Sequence, residues 1–129
     1  MSGAEEALRM LRMAEKDLRA LNGMLDSGIF PDEIFGFHAQ QAAEKSLKAW
    51  ITVLGLKHTY KHDLRPLLIQ LQEAGCSVTD LWDLVDLNAF AVQFRYEDFD
   101  SNDEPLDRAA VITKVQALFE TVQAIIKQG

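Results

Sequence analysis

The sequence predicts an all-α protein, an antiparallel up-and-down bundle of about five helices. Five segments repeat their apolar residues at helical spacing, and no segment shows the strict alternation of a half-buried strand. The connections between these segments are short, which favours antiparallel neighbours. With 129 residues, 48% of them apolar, the chain has the size and the core of one ordinary domain. We therefore expect residues 1–129 to form a single helical domain.

The first two helices have clear boundary signals. The first is predicted over about residues 4–25, where leucines form one apolar stripe, and Ser2 followed by Glu5 matches a capping box. The second is predicted over about residues 31–54, because it begins at a proline and reaches a stop at Gly55.

The remaining three helices differ in their patterns. The third is predicted over about residues 63–74, with His62-Asp63 as its N-terminal cap, a proline tolerated in its first turn and a stop at Gly75. The fourth begins at Thr79 or Asp80 and extends to about Phe94; it is apolar nearly all round, so we expect it at the centre or at a subunit contact. The fifth follows Pro105 and has the clearest amphipathic pattern in the chain.

Composition excludes several classes of protein. The acidic N-terminal stretch does not resemble a signal peptide, and no run of 18 apolar residues predicts a membrane span, so we expect a cytoplasmic protein. One cysteine, Cys76, excludes an internal disulfide, and the few cysteines and histidines cannot form the usual structural zinc patterns. Asp98, Asp100 and Asn102 alternate as in a calcium loop, but the required glycine and final glutamate are missing. We expect no metal and no cofactor.

The charge is distributed unevenly along the chain. The net charge of −7 argues against nucleic-acid binding by the whole surface. Residues 38–72 nevertheless contain five basic and two acidic residues, whereas residues 73–107 contain one basic and ten acidic residues. This asymmetry is compatible with a local basic face, or with an acidic segment that a basic partner recognises.

The second predicted helix carries a polar face. His38, Gln41, Glu44, Lys45 and Lys48 fall within an arc of roughly 120° on a helical projection, opposite the apolar residues. Two interpretations remain open: an ordinary solvated surface, or the wall of a binding site.

Two apolar residues project into the same polar sector. Ile34 and Phe37 would have to be covered there, by another helix or by a second subunit. This observation favours a homodimer.

Three motifs together resemble the HEPN domain (higher eukaryotes and prokaryotes nucleotide-binding). They are HAQQAAEKSLKAW with its LGL turn, HDL at residues 62–64, and FRYE at residues 94–97. The resemblance covers nearly the whole chain. It implies a helical bundle, usually dimeric, whose second and fourth helices help to form a polar cleft. Relatives are often encoded beside a minimal nucleotidyltransferase, as two-component or toxin–antitoxin pairs, and others are metal-independent ribonucleases.

Arg95 is the main candidate for binding an anion. A guanidinium that leaves an apolar helix needs a carboxylate, a phosphate or a helix end as its partner. It forms either a structural salt bridge or a bidentate contact to a ligand. The predicted ligand-binding residues are His38, Gln41, Lys45, Lys48, Asn88, Arg95 and Tyr96.

The catalytic histidine that the resemblance implies is absent. In ribonuclease members, four to six residues separate the arginine from a histidine. Counted from Arg95, the corresponding positions here are Asp100, Ser101 and Asn102. The weak catalytic candidates are therefore Arg95, His38 and Asp100, with His62 as an alternative from elsewhere in the chain.

Three functional hypotheses follow. The first is a HEPN-type module that binds a nucleotide or RNA phosphate in a polar cleft and partners a minimal nucleotidyltransferase in a toxin–antitoxin-like system. The second is a metal-independent endoribonuclease with an altered catalytic motif. The third is a non-catalytic dimeric interaction protein that uses Ile34, Phe37 and the fourth helix.

Overall fold

The structure, a computed structural model, describes residues 3–91 and 106–128. Within these residues every regular element is helical, which confirms the predicted all-α bundle. The elements are α1 (Gly3–Gly23), α2 (Asp32–Val53), α3 (Leu64–Glu73), a 3₁₀ helix (Thr79–Phe90) and α4 (Arg108–Gln128).

Helix α2 lies at the centre of the bundle and contacts all four other helices. It runs antiparallel to α1, because Gly3 at the start of α1 lies beside Thr52 near the end of α2. Thr52 also donates a hydrogen bond to the Met10 sulfur at 3.8 Å. The core consists of aliphatic side chains from every helix, with Phe35 of α2 fully buried among them.

The predicted turn glycines occupy the positions expected of them. Gly55 follows α2 with a φ of +80°, and Gly75 follows α3 with a φ of +90°. Residues other than glycine rarely adopt this left-handed backbone conformation. Gly55 and Gly75 can therefore end their helices without strain.

The fourth helical segment differs from its prediction. An α-helix was expected, but Thr79–Phe90 is a 3₁₀ helix, with three residues per turn. Its exposed positions recur every third residue from Asp80 to Ala89, while Leu84, Val85 and Leu87 are buried. The segment is therefore two-faced, because the three-residue period turns its acids outward and leaves its apolar residues against the core.

Gly36 of α2 allows the end of this 3₁₀ helix to pack closely against α2. The Phe90 ring lies against Gly36 so closely that a Cβ added there would collide with it. A glycine inside a helix normally costs about 0.5–1 kcal/mol relative to alanine. Here it admits an aromatic side chain onto the helix backbone.

Helix α4 begins beside the start of α2 and is fixed there by Arg108. The buried guanidinium donates to the carbonyl oxygens of Met24 and Phe30, both at 2.6 Å, and to Asp32 Oδ1 at 2.8 Å. It also lies 4.9 Å from the centre of the Phe35 ring. One cation thus joins the end of α1, the loop after it and the first turn of α2.

Length and composition alone would let α4 cross a membrane, and it is the one such helix in the part of the chain that the structure describes. Core helices of other proteins meet the same criteria. In α4, Val115, Leu118, Phe119, Val122 and Ile126 are buried against the other helices.

Candidate functional site

The polar face of α2 is neither a solvated surface nor an open cationic wall. Glu44 is 3% exposed and the neighbouring Gln40 is fully buried, although both are polar. Buried polar groups are stable only when they are hydrogen-bonded. The structure satisfies them through two clusters, each built around one carboxylate that binds one histidine and one lysine.

The first cluster joins α1 to α2. Asp17 of α1 accepts a hydrogen bond from His38 Nδ1 at 2.9 Å and another from Lys45 Nζ at 2.8 Å. Asp17 is 9% exposed and the two α2 side chains are partly buried. His38 also meets Phe37 in an edge-to-face ring contact. Two predicted ligand-binding residues therefore serve an interhelical ion pair.

The second cluster joins α2 to the loop before α3. Glu44 accepts from Lys48 Nζ at 3.0 Å, from Gln40 Nε2 at 3.0 Å and from His62 Nδ1 at 3.0 Å. Gln41 donates to Gln40 Oε1 at 2.9 Å and so extends the network. The carboxylate is buried at its centre, while the His62 side chain is 54% exposed.

The predicted positive pocket is already neutralised on its α2 side. Lys45 is paired with Asp17 and Lys48 with Glu44, so each ammonium has a carboxylate partner within the protein. The expectation of a cationic wall is corrected in this respect, because the acids that hold the lysines lie on α1 and one turn earlier on α2. Contact of either lysine with a ligand stays a prediction. The other half of the pocket, Arg95, lies outside the described residues, as do Tyr96 and Asp100.

Asn88 also has a structural role that the sequence did not predict. The Asn88 Oδ1 accepts a hydrogen bond from the backbone N–H of Leu64 at 3.0 Å, and the Asn88 Nδ2 donates one to Asp63 Oδ1 at 2.8 Å. Asp63 Oδ1 also accepts a hydrogen bond from the backbone N–H of Arg65 at 3.0 Å. Asp63 is therefore the N-cap of α3, as expected. Asn88 satisfies a further free amide of that helix and ties the 3₁₀ helix to it.

A hollow of about 490 Å³ opens where α3 begins beside the 3₁₀ helix. Its lining residues are His62, Asp63, Arg65, Val85, Asp86, Asn88, Ala89 and Ala91. This hollow brings together two groups that recognise anions, the exposed imidazole of His62 and the exposed guanidinium of Arg65. Of the predicted ligand-binding residues, Asn88 alone lines it within the described chain.

The chemistry available at the hollow depends on how His62 is held. An ionised carboxylate accepts but cannot donate, so the Glu44 contact places the proton on His62 Nδ1. The second ring nitrogen, Nε2, then carries the lone pair of the neutral ring or the proton of the charged ring. A histidine oriented by a carboxylate and opening onto solvent can bind a phosphate or transfer a proton.

Asp17, Gln40, Arg65 and Arg108 are the functional or structural residues that sequence reasoning missed. One signal was present: Asp17 lies three residues after Ala14 and four before Leu21, in line with the buried stripe of α1. An acid in that register predicts a buried partner. Nothing in the sequence marked Arg108 or Arg65, because their partners and neighbours come from distant segments.

Groups of three or more histidine, cysteine or acidic side chains that suit a metal ion do not occur in residues 3–91 and 106–128. Each of the two carboxylate clusters offers one carboxylate and one histidine, which is fewer than three such groups. The acidic stretch that resembles a calcium loop lies outside the described residues.

Comparison with known proteins agrees with the motifs and the helical architecture. No curated protein and no solved structure matches the chain. A family model, described as the HEPN domain, matches residues 7–126, which is nearly the whole sequence. Membership in that family implies, in general terms, a function related to nucleotides or RNA. The chain belongs to the HEPN domain family.

Proposed function

We propose that this protein binds the phosphate of a nucleotide or of RNA in the hollow between α3 and the 3₁₀ helix. The observation that carries the proposal is the geometry of His62, whose Nδ1 is fixed by the buried Glu44 while the rest of the ring is exposed at the hollow. Arg65 lines the same hollow and offers a second cationic donor. Family membership supports the ligand class.

Two groups at the hollow can bind a phosphate, the guanidinium of Arg65 and the imidazole of His62. The lining also contains two carboxylates: Asp63 accepts two hydrogen bonds in capping α3, and Asp86 is exposed and opposes an anion. Lys57 and Lys61, in the loop before α3, add positive charge to this part of the chain. Guanidinium groups bind phosphate oxygens bidentately, and two donors on one phosphate add specificity.

A thermal-shift titration with ATP and with a short single-stranded RNA tests this proposal. A ligand at ten times its Kd stabilises the folded state by about 1.4 kcal/mol, which raises the Tm of a domain of this size by about 5 °C. We expect Arg65→Ala and His62→Ala each to reduce that shift by more than half. Arg12→Ala, an equal loss of charge on the exposed side of α1, is the matched control and should leave it unchanged.

Two results of this titration would contradict the proposed site. No shift at millimolar ATP and no shift with RNA would leave the interaction protein as the better hypothesis. A shift that survives in Arg65→Ala and His62→Ala but disappears in Arg95→Ala would move the site to the residues beyond Ala91.

We also propose that the protein is cytoplasmic, forms a homodimer and works with a minimal nucleotidyltransferase in a two-component, toxin–antitoxin-like pair. Family resemblance supports the partnership, and the exposure of Ile34 supports the dimer, because the described chain leaves that side chain 38% exposed. Light scattering of the purified chain, with and without a nucleotidyltransferase encoded by an adjacent gene, tests both. A monomer that elutes separately from that partner would contradict them.

A second candidate function, metal-independent endoribonuclease activity, is favoured by the Glu44–His62 pair. Neutral His62 would take the proton of a ribose 2′-hydroxyl as that oxygen attacks phosphorus to form a 2′,3′-cyclic phosphate. The P–O5′ bond would break in the same step, and a water molecule would give its proton to the departing 5′-oxygen. Glu44 would hold the ring and stabilise its charged form, while Arg65 would contact the phosphate.

RNA cleavage in the presence of a chelator tests this activity. We expect cleavage that falls by at least about a hundredfold in His62→Ala, the usual effect of losing a general base. His38→Ala removes the other carboxylate-bound histidine and serves as the control. Equal loss in both variants, or cleavage that persists in His62→Ala, would rule out this assignment.

A further inference from the structure

The outer side of the 3₁₀ helix carries a row of acids. Asp80, Asp83 and Asp86 are three residues apart, and all three are exposed. Side chains at i and i+3 eclipse in a 3₁₀ helix, and each turn rises about 6 Å. The three carboxylates therefore form one line, which we call the acidic ridge. In an α-helix the same spacing would distribute them over an arc of roughly 120°.

The acidic ridge already binds one ammonium group within the molecule. Lys114 of α4 donates to Asp83 Oδ2 at 2.5 Å, and this hydrogen bond, followed by the attraction of the positive charge, lowers the pKa of Asp83 below its usual value of 3.8. In the part of the chain that the structure describes, Asp80 and Asp86 have no ion pair. Two of the three carboxylates thus remain open to cations from outside.

A cavity of about 230 Å³ lies at the Asp80 end of the acidic ridge, between α2, the 3₁₀ helix and α4. Trp50, Leu81 and Leu118 form its apolar lining, and Trp50 and Leu118 are 6% and 1% exposed. Its polar lining comes from Ser77, Asp80 and Thr121, which are exposed. An apolar centre with a polar rim is typical of a protein-binding surface.

The indole of Trp50 supplies a polar group at the cavity. The residue is more than nine-tenths buried and lines the cavity, and no hydrogen bond of its N–H is seen within residues 3–91 and 106–128. The N–H is not among the fully enclosed unpaired groups of those residues, so a ligand in the cavity can accept a hydrogen bond from it. The cavity is smaller than the roughly 300–1,000 Å³ of small-molecule sites. Its size suits one inserted side chain.

We propose that the acidic ridge and this cavity bind a basic segment of a partner protein, with one arginine or lysine inserted beside Trp50. The apolar stem of that side chain would cover Trp50, Leu81 and Leu118, while its charge would meet Asp80. The indole face adds attraction for a cation. The charge of the ridge selects a basic partner over an acidic or neutral one.

This proposal does not depend on phosphate binding at the other end of the 3₁₀ helix. The cavity and the hollow share no lining residue, although Asp86 of the acidic ridge also lines the hollow. Asp80, the ridge residue that the test replaces, lies at the cavity and not at the hollow. A phosphate ligand and a basic peptide also have opposite charges. Either proposal can therefore fail while the other stands.

Fluorescence anisotropy of a labelled, end-blocked hexa-arginine peptide tests the proposal at 20 mM salt. We expect saturable binding that weakens steeply between 20 and 200 mM salt, because exposed charges are screened. Asp80→Asn should weaken binding about fivefold or more, as expected for one ion pair beside an apolar surface. Glu15→Gln, the same loss of charge on α1, is the matched control and should weaken it less than twofold.

The fluorescence of Trp50 reports whether a side chain enters the cavity. In a Trp82→Phe background, Trp50 is the remaining tryptophan, so its emission should change with the same midpoint as the anisotropy. Unchanged emission, or equal weakening by Asp80→Asn and Glu15→Gln, would overturn the proposal. Binding of arginine amide as tightly as the peptide would also overturn it in favour of a small-molecule site.

Discussion

Replacing Glu44 by glutamine tests whether its cluster is a buried ion pair. The side chain keeps its shape, but its negative charge is lost and its new NH₂ group faces donors. Glu44 is 3% exposed, and the side chain of its partner Lys48 is 12% exposed, so water cannot replace the missing charge. His62 and Gln40 would then each compete for the single remaining oxygen.

The expected loss is large compared with the total stability. Removing one member of a buried ion pair typically costs about 3–5 kcal/mol. Because Lys48 retains some exposure, we expect Glu44→Gln to cost about 3 kcal/mol, out of the roughly 5–15 kcal/mol that stabilise an ordinary domain. The Tm should fall by about 10 °C. Removing the charge of Lys48 as well should recover part of the loss, since no unpaired ion then remains buried.

Urea denaturation, followed by far-ultraviolet circular dichroism, measures this cycle. Four proteins are compared: the wild type, Glu44→Gln, Lys48→Met and the double variant. We expect a coupling free energy above about 1 kcal/mol between the two positions. The exposed pair on α1, Glu15 and Arg19, is the matched control, and its coupling should be below about 0.5 kcal/mol. Additive losses at Glu44 and Lys48 would refute the ion-pair interpretation.

Three further predictions concern other parts of the bundle. Arg108→Met should cost about 2–4 kcal/mol in urea denaturation, because it leaves two backbone carbonyls without a donor; a loss below about 1 kcal/mol would contradict this. Gly36→Ala should destabilise by about 1–3 kcal/mol through overpacking, whereas Gly23→Ala, with open space around it, should be neutral or stabilising; equal effects would disprove the close contact. Because Lys114 lowers its pKa, Asp83 should add stability above pH 3.8 and lose that contribution as the pH falls through its folded-state pKa, so Asp83→Asn should approach the wild type in acid-unfolding curves; a difference that grows toward low pH would reverse the sign.

The local helical signals were sufficient for the architecture. Apolar periodicity located all five helical segments, and Gly55 and Gly75 end α2 and α3 because each has the positive φ that glycine alone adopts easily. Asp63 was predicted as a helix-start residue from its position, and it caps α3. These features depend on neighbours within a few residues, so they can be recognised in the sequence itself.

The polar face of α2 shows where local reasoning was insufficient. Helical spacing correctly placed Glu44, Lys45 and Lys48 on one side, but it could not show that this side turns toward α1 and the α3 loop. The partners Asp17 and His62 are 28 and 18 residues away in the chain from the groups they bind. Side chains at that separation meet only through the packing of whole helices. The role of Arg95 stays a prediction, because it lies outside the described residues.

By itself the sequence determined that the chain is helical, approximately where its five helical segments lie, and which family it belongs to. Those properties follow from periodicity, caps and short motifs. Tertiary structure alone decided that both lysines of α2 are neutralised, that His62 and Arg65 share a hollow, and that three aspartates stand in a row. The physical reason is that charge pairing and the pitch of a helix depend on packing between distant segments, which no local pattern encodes.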